Sequence, residues 1–185
     1  MRRLWALWLG LLACGPAAPS STFEADDDGW TLGGNGATKP ELRAAGGNPG
    51  GHLCAMDAVS GDLWYFIAPV HFLGDASRAF GLRLTWDLKQ DQMFQQIKGR
   101  DVVLQGNGLS VVFNIRATPA REWTPYQVRI DGASGWKLDQ DPDFPAATEA
   151  QLKTLLRNVT SLRLRGEFAD GPDGACLDNV YFGVP

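Results

Sequence analysis

The chain has 185 residues, 44% hydrophobic and 21% charged, with 22 glycines and 11 prolines. That length suits one domain, and a Gly and Pro content above average but short of low-complexity composition reads as many turns in a folded protein. A net charge of −4 removes the basic footprint on which non-specific nucleic-acid binding depends, and two histidines leave little room for a His-rich metal centre.

Residues 1–14, MRRLWALWLGLLAC, place two arginines before a ten-residue apolar run that ends at a cysteine. Such a run is too short for a bilayer core of about 30 Å, which takes roughly 20 helical residues, and it has the layout of a secretory signal. Leu11-Leu12-Ala13-Cys14 resembles a bacterial lipobox, which implies that Cys14 is acylated and becomes the mature N-terminus of an outer-membrane lipoprotein on its periplasmic or cell-surface side. An ordinary cleaved signal is the alternative. Residues 15–22 are small and Pro-rich, as a flexible tether requires, and the folded domain is expected over 23–185.

Asp26-Asp27-Asp28 opens that domain as a run of like charges, either a wet loop or a cation site. The cluster 46–51, Gly-Gly-Asn-Pro-Gly-Gly, is a turn. Cys54 and Cys176 remain once Cys14 is assigned to lipid, and an even number in an exported chain suggests a bridge. A bridge would need strands from near both ends of the domain to be neighbours and would protect a sandwich edge; two buried free thiols are the other reading.

From residue 80 the chain alternates, with Phe80, Leu82, Leu84, Trp86 and Leu88 on one face and Gly81, Arg83, Thr85, Asp87 and Lys89 on the other. Period two over this length is a half-buried strand. Leu109, Val111, Phe113 and Ile115 repeat the pattern, as do Leu162, Leu164 and Phe168 against Arg163, Arg165 and Glu167. Shorter β-rich runs lie at 63–68, 101–105, 126–130 and 177–182, separated by Gly, Asn, Asp and Pro clusters. Roughly eight such strands imply an antiparallel two-sheet sandwich. One segment differs: Thr148-Glu149-Ala150-Gln151 fits a capping box, and Leu152, Leu155, Leu156 and Val159 follow at helical spacing, predicting one short helix over 149–158.

Several blocks then carry a resemblance. Trp64-Tyr65-Phe66-Ile67-Ala68-Pro69, Phe72-Leu73-Gly74, Leu82-Arg83-Leu84-Thr85-Trp86-Asp87-Leu88, Asp101-Val102-Val103-Leu104-Gln105-Gly106, residues 155–168 and Leu177-Asp178-Asn179-Val180 occur in the order in which the laminin IV type A (laminin B) domain has them. The opening Phe23-Glu24 with Asp28-Gly29-Trp30, and the closing Leu177-Asp178-Asn179-Val180, are similar to the terminal strands of jelly-roll carbohydrate-binding modules. The resemblance implies an all-β jelly-roll sandwich. It also suggests a structural calcium ion joining the terminal strands, held by Glu24 and Asp178 with carbonyls from 48–51, a simple hydrogen-bond role for these carboxylates being the alternative.

The sequence offers no HExxH, no GxSxG and no phosphate loop. Asp139-Gln140-Asp141-Pro142-Asp143 begins like a calcium loop, but Phe144 replaces the required glycine. His71 is expected to pack at a strand end and His52 to face solvent. An enzyme is therefore not expected. For binding, the polar strand faces gather Arg83, Asp87, Arg129, Arg163, Arg165 and Glu167. If those strands share a sheet, guanidinium forks and carboxylates converge on a recognition face for sugar hydroxyls or anions; otherwise the face is solvated and laced with weak ion pairs. Trp123, Tyr126 and Trp136 are candidate sugar platforms, with a core role the alternative for Trp136. The expected function is a non-catalytic binding or adhesion module at the cell envelope, with a glycan or an envelope or matrix protein as partner and the membrane reached through a lipid anchor. The alternative is a structural envelope lipoprotein with no discrete ligand.

Overall fold

A computed structural model describes residues 17–34, 39–57 and 63–185; Cys14, the rest of the leader and the start of the tether lie outside the described residues. The strands, in chain order, are β1 (Ser20–Ser21), β2 (Thr31–Gly33), β3 (Glu41–Gly47), β4 (Gly50–Asp57), β5 (Tyr65–Ile67), β6 (Arg83–Gln90), β7 (Val102–Gly106), β8 (Leu109–Phe113), β9 (Thr124–Arg129), β10 (Lys137–Leu138), β11 (Val159–Arg165) and β12 (Asp173–Val184). They form two antiparallel sheets. The first runs β3-β4-β12-β6-β9, with β1 also on β12; the second runs β10-β8-β7-β11-β5-β2. This is the antiparallel two-sheet sandwich that the alternation predicts and the jelly roll that the resemblance implies.

The sheets face each other through a core in which four tryptophans, Trp30, Trp64, Trp86 and Trp136, are fully buried. Trp30 meets Phe72 edge-on at 5.5 Å and Trp64 meets Phe66 at 5.2 Å, arrangements that aromatic quadrupoles favour. Leu84, Trp86 and Leu88 point inward from β6, as their spacing requires. The Trp136 indole donates to Arg129 O at 2.9 Å, which satisfies its polar end inside the core.

The one α-helix among the described residues, α1 (Glu149–Leu156), sits between β10 and β11 in the chain. Thr148 accepts from Gln151 N while the Gln151 side chain accepts from Thr148 N, the capping box expected from the sequence. Leu152, Leu155 and Leu156 are its buried stripe. The helix ends earlier than 158 because Val159 exchanges backbone hydrogen bonds with Gly74, at 2.8 and 2.7 Å, and so belongs to β11.

Cys54 and Cys176 are directly opposite in the β4/β12 register and form a disulfide, with S–S 2.04 Å and Cα–Cα 4.0 Å. The bridge does not guard an edge: β4 and β12 are both interior strands, and the edges are β3 and β9.

Candidate functional site

The expected recognition face of Arg83, Asp87, Arg163, Arg165 and Glu167 is not formed, because its strands do not share a sheet. Arg83 and Asp87 lie on β6 in the first sheet, and Arg163 and Arg165 on β11 in the second. Arg165 does point outward from its sheet, but a second layer covers it. Its guanidinium is ion-paired to Asp101 at 2.6 Å, donates to Ile97 O at 3.3 Å and lies 4.4 Å over the Phe168 ring, with no exposure to solvent. Tyr65, Val103 and Val112, packed by Leu63 and Phe144, extend that layer. Glu167 is buried beyond the strand, and burial together with Asp173 and Asp57 pushes its carboxyl up to about 7. Arg163 is held by Ser161 at 3.1 Å and Gln105 at 3.3 Å, and Arg83 stands in register with the like-charged Arg129.

Asp87 belongs instead to a carboxylate cluster around the β3–β4 turn. In register, Arg43 of β3 stands opposite His52 of β4, and Asp178 of β12 opposite Asp87 of β6. Asp87 accepts from the Asn48 and Asn179 amides at 3.0 and 2.9 Å. Asp178 is fully buried and accepts Asn48 N at 2.6 Å and Asn179 N at 2.7 Å. Glu24 accepts Gly51 N at 3.4 Å. A Cβ on Gly47 would stand 2.7 Å from Gly50 O and 2.8 Å from Asp178 Oδ2, and against Gly51 O, so three oxygens converge on one point that only glycine leaves open. A Cβ on Gly50 would meet the Glu24 carboxylate. Burial, with Asp87 and Glu24 adding repulsion, pushes Asp178 up to about 6 despite its two backbone donors. Among the described residues, no Lys or Arg forms an ion pair with Glu24, Asp87 or Asp178. An all-oxygen set of carboxylates and loop carbonyls without a protein cation fits a hard divalent ion.

The other acidic runs have local partners. Asp26 and Asp27 accept from Asp28 N and Gly29 N, Asp27 also pairs with Lys39, and Asp28 accepts from Ser21 and faces His71 Nε2 at 3.3 Å. Arg100 pairs with Asp139 at 3.0 Å and reaches Asp141 at 3.8 Å.

A second region lies further along the same outer face. The register aligns Glu41, Cys54, Cys176 and Lys89 in one row. A groove of about 330 Å³ is floored by the disulfide and lined by Arg43, Lys89 and Arg121, with Asp91 as its carboxylate. Trp123, from the loop before β9, packs beside Lys89: its indole donates to Gly46 O at 3.0 Å, and the Lys89 ammonium lies 4.3 Å over its ring. His52 is therefore buried, contrary to its expected exposure, with Trp123 edge-on at 5.3 Å. Burial and the charges of Lys89 and Arg43 depress its imidazole to about 4. His52 and the two sulfurs lie within 4.8 Å of one another, but disulfide sulfurs are not thiolates, so the trio is no metal centre in the oxidised protein. Tyr126 is stacked on Trp86 at 5.6 Å with its hydroxyl on Ala117 O, and is not a free platform.

A model of the Laminin B (Domain IV) family matches residues 65–184. The chain is 30% identical over 169 residues to laminin subunit gamma-1 of Homo sapiens, covering 87% of this chain and 10% of that protein, so it spans about a tenth of that relative. Its fold is similar to that of the L4b domain of human laminin alpha-2, with TM-score 0.57 and 14% identity over 66% of this chain and 70% of that one. It is also similar to the family 11 carbohydrate-binding module of Clostridium thermocellum in complex with a β-1,3-1,4-mixed-linked tetrasaccharide, with TM-score 0.59 and 18% identity over 92% and 98%.

Proposed function

The chain belongs to the laminin B (domain IV) family, and from that premise we propose that it is a non-catalytic module that works outside the cytoplasm and binds a glycan or an envelope or matrix protein. The observation that carries this reading is the groove on the outer face of the first sheet, about 330 Å³, set on a rigid disulfide-linked strand pair. The fold it shares with a module that holds a tetrasaccharide supports a glycan as ligand. Fold likeness alone does not assign one.

Two further elements belong to this proposal. A structural calcium ion is held by Glu24 and Asp178 with the Gly50 and Gly51 carbonyls. It supplies the positive charge that this cluster lacks and ties the chain before β2 to β12. A lipid on Cys14 anchors the module to the membrane. The test is an array of immobilised glycans and matrix proteins probed with the purified protein, with and without calcium. Binding that is lost in Arg43→Ala and Arg121→Ala while the melting temperature holds supports a recognition groove. Binding to nothing on the array leaves a structural envelope module without a discrete ligand.

A further inference from the structure

The groove is cationic in an acidic protein. The chain carries a net charge of −4, yet three cations, Arg43, Lys89 and Arg121, share the lining with one carboxylate. That carboxylate is already engaged: Asp91 Oδ1 accepts Gly174 N at 2.7 Å. Arg43 gives Nε and one Nη to Glu41 Oε2 at 3.1 and 2.9 Å, an exposed pair of little energetic weight, and three of its five N–H donors remain. Lys89 gives one N–H to Gly46 O at 3.1 Å and keeps two. Between these cations the floor is apolar, made by the Cys54–Cys176 bridge, with Met56, 64% exposed, beside it.

Resting on the binding-module reading, we infer that the groove recognises an acidic polysaccharide, with uronate carboxylates on Arg43, Lys89 and Arg121 and the C–H face of a sugar ring on the disulfide and Met56. Two arginines favour a planar carboxylate because the guanidinium fork meets both its oxygens at once. The field of these cations is felt between neighbours: Lys89 is lowered by burial and then by Arg43, with Glu122 and Asp178 opposing. An anion in the groove relieves that repulsion. Neutral glycans do not.

The experiment measures binding of the purified protein to polygalacturonate, chondroitin sulfate and neutral mixed-linkage β-1,3-1,4-glucan, on wild type, Arg43→Ala and Arg121→Glu. The melting temperature of each variant serves as a fold control. Polygalacturonate should bind tightest, should be released between roughly 50 and 500 mM NaCl as charges are screened, and should lose about tenfold affinity in each variant, the scale of one charge-assisted contact. Preference for chondroitin sulfate overturns the assignment to uronate carboxylates. Equal binding of the neutral glucan, insensitive to salt and to both substitutions, overturns the acidic ligand while leaving the module a glycan binder. Polygalacturonate binding that survives both substitutions overturns the groove as its site. Binding to none of the three overturns the inference and removes the glycan arm of the proposed function with it.

Discussion

A carboxylate that accepts two backbone N–H bonds ordinarily titrates low. Asp178 does the opposite and is pushed up to about 6, because burial and the nearby Asp87 and Glu24 outweigh those bonds. The sign of the consequence follows from linkage: a carboxyl whose folded pKa lies above its ordinary 3.8 binds more protons folded than unfolded, so stability falls as pH rises from about 4 to about 6. A calcium ion in the cradle would reverse that trend, since it would bind only the ionised folded form. The expected result is a melting temperature at pH 7 that rises with calcium and falls with EDTA in wild type, by an amount corresponding to about 3 kcal/mol at a hundredfold excess over Kd. Asp178→Asn should melt at one temperature in both. Equal melting of wild type with calcium and with EDTA would remove the ion. Glu167 provides a second, metal-independent case. Its carboxyl, pushed up from 4.5 to about 7 by burial and by Asp173 and Asp57, makes the fold lose stability between pH 4.5 and 7. Glu167→Gln keeps the shape without the charge, so its urea midpoint should fall less over that range than that of wild type, a difference on the order of 1–3 kcal/mol at pH 8. Parallel pH profiles would contradict the assignment. Asp178 was reached from the sequence through the resemblance, which pairs it with Glu24; the role of Glu167 was not legible, since alternation placed it on an exposed face. Alternation puts Arg165 on the outer side of β11, and cannot show that Ile97 and Asp101 cover it there or that Asp57 and Asp173 flank Glu167 beyond the strand.

At the scale of the element, legibility followed amphipathicity. Strand β6 was readable because Leu84, Trp86 and Leu88 alternate with polar residues, and α1 because its capping box and leucine stripe are local. Strands β3 and β4 were not anticipated. Almost all of β3 is exposed at an edge, and β4 carries Leu53 and Ala55 toward the core with His52 and Cys54 buried on the other face, so neither shows a period of two. Arg43 of the groove sits on β3 and Arg121 on a loop, which is why alternation alone brought only Lys89 near the site. The disulfide between β4 and β12 closes a loop with a sequence separation of 122 residues. In the chain-entropy description such a link stabilises by about 4–5 kcal/mol. Replacing both Cys54 and Cys176 with Ala should lower the urea-unfolding free energy by that order. Intact-mass measurement after alkylation without reductant should show no adduct on either cysteine of the wild type; two adducts would mean that the bridge is absent in the protein as made.

At the scale of the whole molecule, the tether and the groove occupy different stretches of one strand. β1 pairs with β12 at Tyr181 and Val180, and Phe182 N donates to Pro19 O at 2.9 Å, so the chain enters beside the C-terminal half of β12. The groove uses Gly174 to Cys176 in the N-terminal half. Five residues of strand from Cys176 to Tyr181 place about 15 Å between the two. The expected tether over 15–22 is therefore shorter, because residues 19–21 are docked on β12 and Ser21 is buried; a lipid on Cys14 would hold this entry side toward the membrane. Labelling with a palmitate analogue should mark wild type and not Cys14→Ser, and a labelled variant would remove the anchor. Given the anchor, the separation predicts that wild type in neutral liposomes and the unlipidated Cys14→Ser protein bind polygalacturonate with affinities equal within about twofold, a difference under 0.5 kcal/mol. Affinity that drops tenfold or more on anchoring would mean that the membrane occludes the groove, and that the sheet lies with its outer face against the bilayer.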